Sequence, residues 1–307
     1  MQTHTDILSI PDSAKNCVLV IGNFDGVHRG HRALIDAARD IAKDKGKKTG
    51  VLTFEPHPRA LFRPDDPPFR LSIAEVKTEL LQSLSIDHLF IPKFDWDFAS
   101  MTAPQFIEKT LKDSLSAAHL VIGKDFCFGQ LRHGNAKTLE ESGIPVTVLD
   151  KVVDDDDGPL SSSAVRMALR AGDIDLANGI LGWEWEVRGL VQVGDRRGRE
   201  LGYPTANVRL GDHLHPSYGV YATRVQIMED GPDSPWLPSA TNIGIRPMFA
   251  LPVGQVEAHI FDFDRDIYGK TLRVRPVKRL RGEAKFDSLD ALIAQIERDC
   301  DEARAIL

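Results

Sequence analysis

The chain has 307 residues, of which 42% are hydrophobic and 27% charged, and its formal net charge at neutral pH is -7. Because single hydrophobic cores stop growing at roughly 250 to 300 residues, we expect two domains. No segment approaches the roughly 20 apolar residues of a membrane span, and the N-terminus lacks the pattern of a secretory signal. These features predict a cytoplasmic protein that contacts no membrane. The negative charge disfavours nucleic acid as a partner and favours small nucleotides, while the oligomeric state stays open.

The three cysteines, Cys17, Cys127 and Cys300, are scattered along the chain without any C-x-x-C spacing. This pattern argues against a disulfide framework and against a structural zinc site. We therefore predict that all three are buried thiols.

The stretch from Val18 to His31 reads V-L-V-I-G-N-F-D-G-V-H-R-G-H and organises the first half of the chain. Its β-forming residues predict a buried parallel strand, Gly22 and Gly26 predict a turn, and a helix is expected to begin near His31. Such a turn lies at the carboxyl edge of an open α/β sheet, where backbone N–H groups and the helix dipole favour an anion. We expect that anion to be a phosphate.

Two histidines in this turn, His28 and His31, are spaced so that their imidazoles can face the same way. We expect Gly30 to leave room for a ligand between them. Imidazoles can donate hydrogen bonds to charge that builds up on a phosphoryl group. A pair of surface histidines beside an ordinary turn is the alternative, but the preceding strand and glycine turn favour a catalytic pair.

Apolar periodicities alternate between helices and strands through the rest of this half and predict a Rossmann-like α/β fold with a parallel sheet. The predicted elements are helix His31–Lys45, strand Gly50–Phe54, helix Ser72–Leu84, strand His88–Pro92, helix Ala103–Leu115, and strands His119–Gly123 and Pro145–Leu149. Two prolines predict an extended loop after the second strand. His57 and Arg59 in that loop are either ordinary loop residues or groups that support the site.

Two later loops belong to the same half of the chain. The loop Gly123–Gly129, G-K-D-F-C-F-G, follows a strand and so lies at the same sheet edge, where it suits recognition of a base or ribose. Core packing of its two phenylalanines is the alternative. The acidic run Asp154–Asp157 is expected to be a solvated loop rather than a metal site.

A serine-rich segment, L-S-S-S-A-V-R, follows the acidic run. Ser161, Ser162 and Ser163 can cap a helix while their hydroxyls and N–H groups face a phosphate. Arg166 is one turn further on and can reach the same anion.

The second half of the chain changes to short strands with many glycines and prolines. Six strands without helices between them predict a small closed antiparallel barrel. The predicted strands are Val187–Val193, Tyr203–Val208, Gly219–Ile227, Ala240–Ile245, Val256–Phe261 and Thr271–Val277, followed by helix Leu289–Ile306. We therefore predict two domains, residues 1–182 and 183–307.

The segment Gly194–Asn207, G-D-R-R-G-R-E-L-G-Y-P-T-A-N, carries the chemistry expected of the barrel. Its cationic first part suits nucleotide phosphates, and Thr205 and Asn207 are two residues apart, on one face of a strand. Their hydroxyl and amide oxygens suit Mg²⁺. The alternative is an arginine-rich surface hairpin.

The motifs resemble, in their order, those of the bacterial bifunctional riboflavin kinase/FAD synthetases, and the resemblance extends from Val18 to Arg304. The sequences G-N-F-D-G-V-H-R-G-H, T-F-E-P-H-P-R and S-S-S-A-V-R are similar to motifs of the adenylyltransferase half, with Ser163 in place of a threonine. The sequences P-T-A-N, P-S-Y-G-V-Y-A and N-I-G-I-R-P-M-F are similar to motifs of the kinase half. Cys127 stands where an arginine is usual, and Met248 where a threonine is usual.

The resemblance implies roles for the residues of both halves. Glu257 would be the general base for the flavin hydroxyl, although a carboxylate on a barrel strand also fits a residue at the lip that faces solvent. His28 and His31 would stabilise charge during adenylyl transfer, and Thr205 and Asn207 would hold Mg²⁺. The residues expected to bind nucleotide are Gly22, Asn23, Phe24, Asp25, Gly26, Asp125, Ser161, Ser162, Ser163, Arg166, Gly198, Arg199, Pro204, Thr205 and Asn207.

The implied function is phosphorylation of riboflavin to FMN with ATP, followed by adenylylation of FMN to FAD with release of pyrophosphate. A single-activity FMN adenylyltransferase with a non-catalytic flavin-binding barrel is one alternative. A tRNA-linked protein is another, since H-x-G-H also occurs in class I aminoacyl-tRNA synthetases. The acidic composition and the lack of a K-M-S-K-S-like loop disfavour it.

Overall fold

The computed structural model describes residues 1–154, 158–194, 198, 201–246 and 253–307. The chain forms two compact units, one made of Met1–Asp66 and Ser72–Ser161, the other of Pro67–Leu71 and Ser162–Leu307. These units divide between Ser161 and Ser162, whereas the boundary between residues 182 and 183 remains a prediction from the sequence. In the described part of the chain, no helix is both long enough and apolar enough to cross a membrane.

A six-stranded parallel sheet forms the centre of the first unit. Its strands are β1 Gln2–His4, β2 Val18–Ile21, β3 Thr49–Leu52, β4 His88–Phe90, β5 His119–Gly123 and β6 Val146–Leu149. Their spatial order is β1-β4-β3-β2-β5-β6. This confirms the predicted parallel sheet. A short antiparallel pair, β7 Val153–Asp154 and β8 Gly158–Pro159, follows later in the unit.

Side chains alternate between the two faces of this sheet, and each face has its own apolar core. Leu19 and Ile21 of β2 pack into one cluster, while Val18 and Val20 pack into the other. All four residues of β2 are buried. Burial on both faces explains why this strand is a continuous apolar run rather than an alternating pattern.

Helices and short helical turns connect the strands of the first unit. They are α1 Arg29–Asp44, α2 Pro58–Phe62, α3 Ala74–Ser83, α4 Trp96–Ala99, α5 Ala103–Gln105, a π-helix Phe106–Ser114, α6 Ala136–Glu140, and 3₁₀ turns at Asp12–Ala14 and Gln130–Arg132. The predicted helix over Ala103–Leu115 is therefore an α-helical turn that continues as a π-helix.

The expectation of an extended loop after β3 is wrong for its second part, where Pro58 starts the short helix α2. Proline suits the first turn of a helix because its fixed φ is helical and its missing N–H has no partner there anyway. His57 caps this helix, since its Nδ1 accepts the N–H of Arg59 at 3.1 Å.

The second unit contains a closed six-stranded barrel, as predicted. Its strands are β9 Val187–Gln192, β10 Ala206–Arg209, β11 Gly219–Ile227, β12 Leu237–Arg246, β13 Val253–Ile260 and β14 Thr271–Arg281, with a 3₁₀ turn at Met228–Asp230. They close in the order β10-β13-β12-β11-β14-β9, with every pair antiparallel. The unit also contains α7 Ser162–Ala171, α8 Ile174–Leu181 and α9 Leu289–Ile306.

The terminal helix α9 has the predicted bounds and packs on the outside of the barrel. Cys300 and Ala303 of α9 are buried in one cluster with Ala222, Ala240 and Phe261.

The cysteine prediction is only partly right. Cys17 and Cys300 are buried free thiols, but Cys127 is half-buried.

Candidate functional sites

The turn between β2 and α1 has an uncommon backbone conformation. Phe24, Gly26 and Val27 have φ angles of 51°, 84° and 39°, in the left-handed region that residues with side chains rarely adopt. Two contacts with Ser72 hold the turn: Ser72 Oγ accepts the N–H of Gly26 at 2.9 Å, and the N–H of Ser72 donates to Oδ1 of Asp25 at 3.1 Å. The carboxylate of Asp25 is buried, so this predicted nucleotide-binding residue contacts a segment that supports the turn.

The structure brings His28 and His31 side by side at the start of α1. His28 is the N-cap residue, and its Nδ1 accepts the N–H of His31 at 3.3 Å. Because a nitrogen that accepts a hydrogen bond carries no proton, the neutral ring of His28 carries its proton on Nε2. The two rings stack with centroids 3.6 Å apart, and Phe24 meets the ring of His31 at 5.1 Å in a T-shaped contact.

The expectation that Gly30 leaves room for a ligand between the histidines is wrong, since the stacked rings leave no gap. Gly30 serves a different close approach. A Cβ at this position would lie 2.8 Å from the carbonyl oxygen of Leu160 and 3.1 Å from the ring of His28. The glycine thereby lets the chain that leads into Ser161 pass against the start of α1.

The other predicted serines and Arg166 belong to α7 in the second unit, which begins at Ser162. Within that unit, Arg166 Nε donates to the carbonyl of Phe69 at 2.9 Å, and its guanidinium lies 5.7 Å from the centroid of the Phe69 ring. This places the side chain of Arg166 against the segment Pro67–Leu71 rather than in open solvent.

The loop after β5 combines an exposed acid with apolar packing. Asp125 forms an ion pair with Lys151 at 2.5 Å. Phe126 and Phe128 stack with centroids 5.7 Å apart, and Phe128 is buried in the core. The core-packing alternative is therefore correct for Phe128.

Only Asp154 of the acidic run lies among the described residues, and it pairs with Arg29 of the H-R-G-H motif at 2.5 Å. Residues 155–157 lie outside the described part of the chain. No cluster of three or more His, Cys, Asp or Glu side chains that could hold a metal ion occurs among the described residues.

An aromatic row, missed by the sequence reasoning, follows the carboxyl ends of β3 and β4. Phe54 contacts Phe94 and Phe98, each with centroids 5.6 Å apart, and Phe62 contacts Phe94 at 5.9 Å and Trp96 at 5.7 Å. Phe62 and Trp96 remain 54% and 63% exposed. An exposed aromatic surface at this edge of the sheet suits a flat aromatic ligand. No periodic pattern in the sequence predicts it, because its members come from two separate connections, one after β3 and one after β4.

Arg59, considered from sequence as a supporting group, has a structural partner. Its Nε and Nη2 donate to Oδ2 of Asp66 at 2.9 and 2.7 Å.

In the second unit, the barrel register places Asn207 directly opposite Glu257 across β10 and β13. Glu257 also faces Asn242 on β12. Val256 and Ala258, the chain neighbours of Glu257, are fully buried. The side chain of Glu257, which is half-buried, therefore lies on the opposite face of β13. Side chains of directly opposed residues have Cβ atoms roughly 5 Å apart. The predicted base and the predicted metal ligand are therefore neighbours.

The amide of Asn207 is held in a defined orientation. Gln255 Nε2 donates to Asn207 Oδ1 at 2.7 Å, and Asn207 Nδ2 donates to the carbonyl of Thr205 at 3.1 Å. Thr205 directly precedes β10 rather than lying within it.

Two glycines of the preceding loop allow close approaches to this edge. A Cβ on Gly194 would lie 2.7 Å from Nδ2 of Asn207, and a Cβ on Gly198 would clash with the carbonyl oxygen of Tyr203. Arg199 lies outside the described residues, and so does Met248.

A cleft of about 300 Å³ adjoins the P-T-A-N segment. Its walls are mainly apolar, with carboxylates near one side. The lining residues are Val191, Pro204, Thr205, Ala206, Ala258, Ile260, Phe263, Asp264, Arg265, Asp266, Ile267 and Tyr268.

The first unit has a parallel sheet with two stacked histidines at the turn after β2. The second unit has a barrel that sets a carboxylate beside an oriented amide. This combination fits a two-part transferase that acts on nucleotides. Residues 10–164 match the FAD synthetase family model, and residues 181–307 match the riboflavin kinase family model.

Curated relatives match nearly the whole chain. A bifunctional riboflavin kinase/FMN adenylyltransferase of Escherichia coli strain K12 is 38% identical, over 93% of this chain and 91% of its own length. The Bacillus subtilis enzyme of the same name is 36% identical, over 98% and 95%. A solved structure described as a macrolide-efflux protein from Streptococcus pneumoniae superposes with a TM-score of 0.85 at 30% identity, covering 99% of this chain and 98% of that one.

The chain belongs to the family of bifunctional riboflavin kinase/FMN adenylyltransferases. It is therefore an enzyme with two transferase activities: it phosphorylates riboflavin to FMN and adenylylates FMN to FAD. Because the riboflavin kinase model covers the barrel, the alternative of a non-catalytic barrel does not hold.

Proposed function

We propose that the barrel transfers the γ-phosphoryl group of ATP to riboflavin with Glu257 as the general base. The adjacency of Glu257 and Asn207 in the barrel register carries this proposal. Glu257 takes the proton of the 5′-hydroxyl as the hydroxyl oxygen attacks the γ-phosphorus. Arg199 adds positive charge beside the phosphates.

Thr205 and Asn207 are the residues that would hold Mg²⁺. The donor set fits, because a hydroxyl and an amide oxygen are hard ligands and Mg²⁺ keeps several water and phosphate ligands besides a few from the protein. The hydrogen bond from Gln255 to Asn207 Oδ1 supports this role by fixing the amide. When bound, the ion would neutralise charge on the ATP phosphates.

The test of the kinase roles is a comparison of both activities in one variant. Glu257→Gln keeps the size of the side chain but removes the base, so FMN formation from riboflavin should stop. FAD formation from supplied FMN should continue at the wild-type rate. Equal loss of both activities would argue against Glu257 as the base.

For adenylyl transfer, an FMN phosphate oxygen attacks the α-phosphorus of ATP and pyrophosphate leaves. His28, through Nε2–H, and His31 stabilise the charge that develops on the phosphoryl oxygens. Ser161, Ser162 and Arg166 bind the phosphates together with Ser163. The N–H groups of Gly22 and Gly26 already bond Leu52 and Ser72, so the further backbone donors are those of Asn23 and Phe24. Positioning and electrostatics then provide the rate.

The aromatic row is the proposed surface for the flavin ring of FMN. Its exposed members, Phe62 and Trp96, offer flat apolar faces at the same edge of the sheet as the histidine turn, where stacking on an isoalloxazine ring is favourable.

His28→Ala combined with His31→Ala tests the adenylyl assignment. The variant should convert riboflavin and ATP to FMN and stop there, and chromatography of the products measures both steps. If FAD still forms from FMN at the wild-type rate, the histidines are not the catalytic pair.

The proposed setting is the cytoplasm, with riboflavin, FMN and ATP as the binding partners. The net charge of -7 supports small nucleotides over nucleic acid.

A further inference from the structure

Lys77 on α3 is a fully buried lysine, with a side chain 1% exposed. Its Nζ contacts Oε1 of Glu55 at 2.6 Å, the hydroxyl of Thr53 at 3.3 Å and the carbonyl of Phe54 at 3.2 Å. Burial of an ammonium group is costly unless several partners compensate it. Three partners from one short segment show that this is a built site.

The contacts continue from Thr53 to the phosphate-type turn. Thr53 is fully buried, and its hydroxyl donates to the carbonyl of Asn23 at 3.1 Å. A hydroxyl has one proton, so the contact with Lys77 uses an oxygen lone pair. The hydrogen bonds therefore run in one direction, from Lys77 to Thr53 to Asn23.

The segment that leads into α3, the helix of Lys77, contacts the turn at two further points. Ser72, two residues before α3, binds the side chain of Asp25 and the N–H of Gly26. Asn23, Asp25 and Gly26 are thus each fixed from outside the turn. Gly26 is itself left-handed, and Asn23 and Asp25 are the neighbours of left-handed Phe24. This conformation is unfavourable unless the surroundings impose it.

We propose that Lys77 and Thr53 are positioning residues for adenylyl transfer, through a relay that fixes the Asn23 carbonyl and so the backbone that leads to His28. The inference rests on the FMN adenylyltransferase role of this turn. Electrostatic stabilisation of a transition state requires donors held in place before the reaction. Displacement of such groups by about 1 Å costs on the order of 100-fold in rate.

Thr53→Val in the full-length enzyme is the primary test. It keeps the shape of the side chain but removes the hydroxyl, so the Asn23 carbonyl loses its donor. The kcat for FAD formation should fall by about 10- to 100-fold, with a smaller change in KM for ATP. The riboflavin kinase activity of the same preparation should not change, and Thr53→Ser should restore adenylyl transfer.

Thr147→Val is the matched control, because the hydroxyl of Thr147 bonds His119 at 2.8 Å in the same sheet without contact to the turn. It should leave both activities at the wild-type level. A second variant, Lys77→Met with Glu55→Gln, removes the buried ion pair as a neutral unit and should reduce kcat for FAD formation while it spares FMN formation.

Wild-type kcat in Thr53→Val would overturn the inference, as would parallel loss of both activities or failure of Thr53→Ser to restore adenylyl transfer. If the double variant does not fold, Thr53→Val, Thr53→Ser and the control Thr147→Val still test the inference. Absence of FAD formation by the wild-type enzyme would instead count against the proposed function.

Discussion

Gly30 lacks a Cβ at a close approach beside the proposed adenylyl site. In Gly30→Ala the new Cβ would lie 2.8 Å from the carbonyl of Leu160 and 3.1 Å from the ring of His28, so one of these groups must move. We expect FAD formation to fall by at least about 10-fold, with FMN formation unchanged.

The control for Gly30→Ala is the stability of the variant. Because a backbone carbonyl must move to admit the new Cβ, the substitution should cost about 1 to 3 kcal/mol, so we expect a moderate fall in melting temperature of a protein that still folds. Measurement of both product rates and of thermal unfolding on one preparation checks this. An adenylyl rate equal to that of the wild type would show that the close approach at Gly30 is not needed.

The three cysteines should differ in reactivity. Burial raises the pKa of the Cys17 and Cys300 thiols to about 11, so at pH 8 only about one in a thousand of each is the reactive thiolate. Cys127 is half-buried. Titration with a thiol reagent at pH 8 should detect one fast thiol per chain.

The variant Cys127→Ser should abolish this fast phase and leave the slow one. Two or three fast thiols in the native wild-type protein would contradict the assignment.

At the residue scale, motif residues were predictable from sequence but their neighbours were not. His28 and His31 follow from H-R-G-H, and Asn207 from P-T-A-N. By contrast, the contact between Lys77 and Thr53 joins residues 24 positions apart in the chain. Helical periodicity alone predicts that a lysine is exposed to solvent, so the sequence did not indicate this contact. The stacking of the histidines also depends on the cap at His28, which spacing does not reveal.

At the element scale, the predicted bounds agree best with the structure for strands whose residues are all apolar β-formers. The runs of β2 and β5 are apolar and β-branched on both faces, and both strands begin and end where predicted. The helix α1 begins at Arg29 rather than His31 because His28 caps it. The π-helix Phe106–Ser114 was predicted as part of an α-helix, because π-helices are rare and have no established sequence pattern.

One buried carboxylate, that of Glu186, pairs with two arginines where β9 meets β14. Arg188 and Arg273 are cross-strand partners, and like charges in this position repel. Glu186, with a side chain 2% exposed, pairs with both at 2.8 and 2.7 Å. Burial alone would raise the pKa of Glu186, but Arg273 and Arg188 outweigh it and hold the pKa below its ordinary value of 4.5.

Because the folded-state pKa is lowered, Glu186 stabilises the barrel above pH 4.5, and this stabilisation is lost as the pH falls through the folded-state pKa. Glu186→Gln should lower the free energy of unfolding by about 3 kcal/mol at pH 7. The difference from wild type should shrink in acid.

Urea unfolding followed by tryptophan fluorescence measures this effect, since Trp183, Trp185 and Trp236 belong to the second unit. Glu184→Gln is the control. Glu184 is half-exposed and pairs with Arg275 at 2.9 Å, so its loss should cost less than about 1 kcal/mol. A pH-independent difference for Glu186→Gln would contradict the assignment.

At the scale of the whole molecule, periodicity predicted a parallel sheet followed by a barrel, but not the order of strands within either. In the barrel, β10 lies between β13 and β9, so the chemistry of Asn207 depends on a partner 50 residues away in sequence. The direct pairing of β10 with β13 brings Glu257 opposite Asn207. Family resemblance supplied the roles of these residues before the geometry did.

The helices α7 and α8 contact the barrel through hydrogen bonds and close packing. Leu169 of α7 accepts the N–H of Ser217 at 2.8 Å, and Asn178 of α8 accepts the N–H of Trp185 at 2.9 Å. A Cβ on Gly172, between the two helices, would lie 2.5 Å from Cδ of Arg279. These contacts join residues 162–181 to the barrel, whereas the sequence-based boundary assigns them to the sheet.

Hydrogen exchange on the full-length protein distinguishes the two assignments, because residues that unfold as one cooperative unit share a free energy of opening. Val274 on β14 and Val20 on β2 are both fully buried, and truncation of either to alanine should destabilise its own unit by about 2 kcal/mol. We expect Val274→Ala to speed exchange in peptides from 162–181, and Val20→Ala to leave them unchanged while it speeds exchange in α1. If Val20→Ala instead speeds exchange in residues 162–181 and Val274→Ala does not, α7 and α8 belong with the sheet and the boundary lies at residue 182. The test works because a helix loses protection from exchange when the unit it packs against is destabilised, whatever its position in the chain.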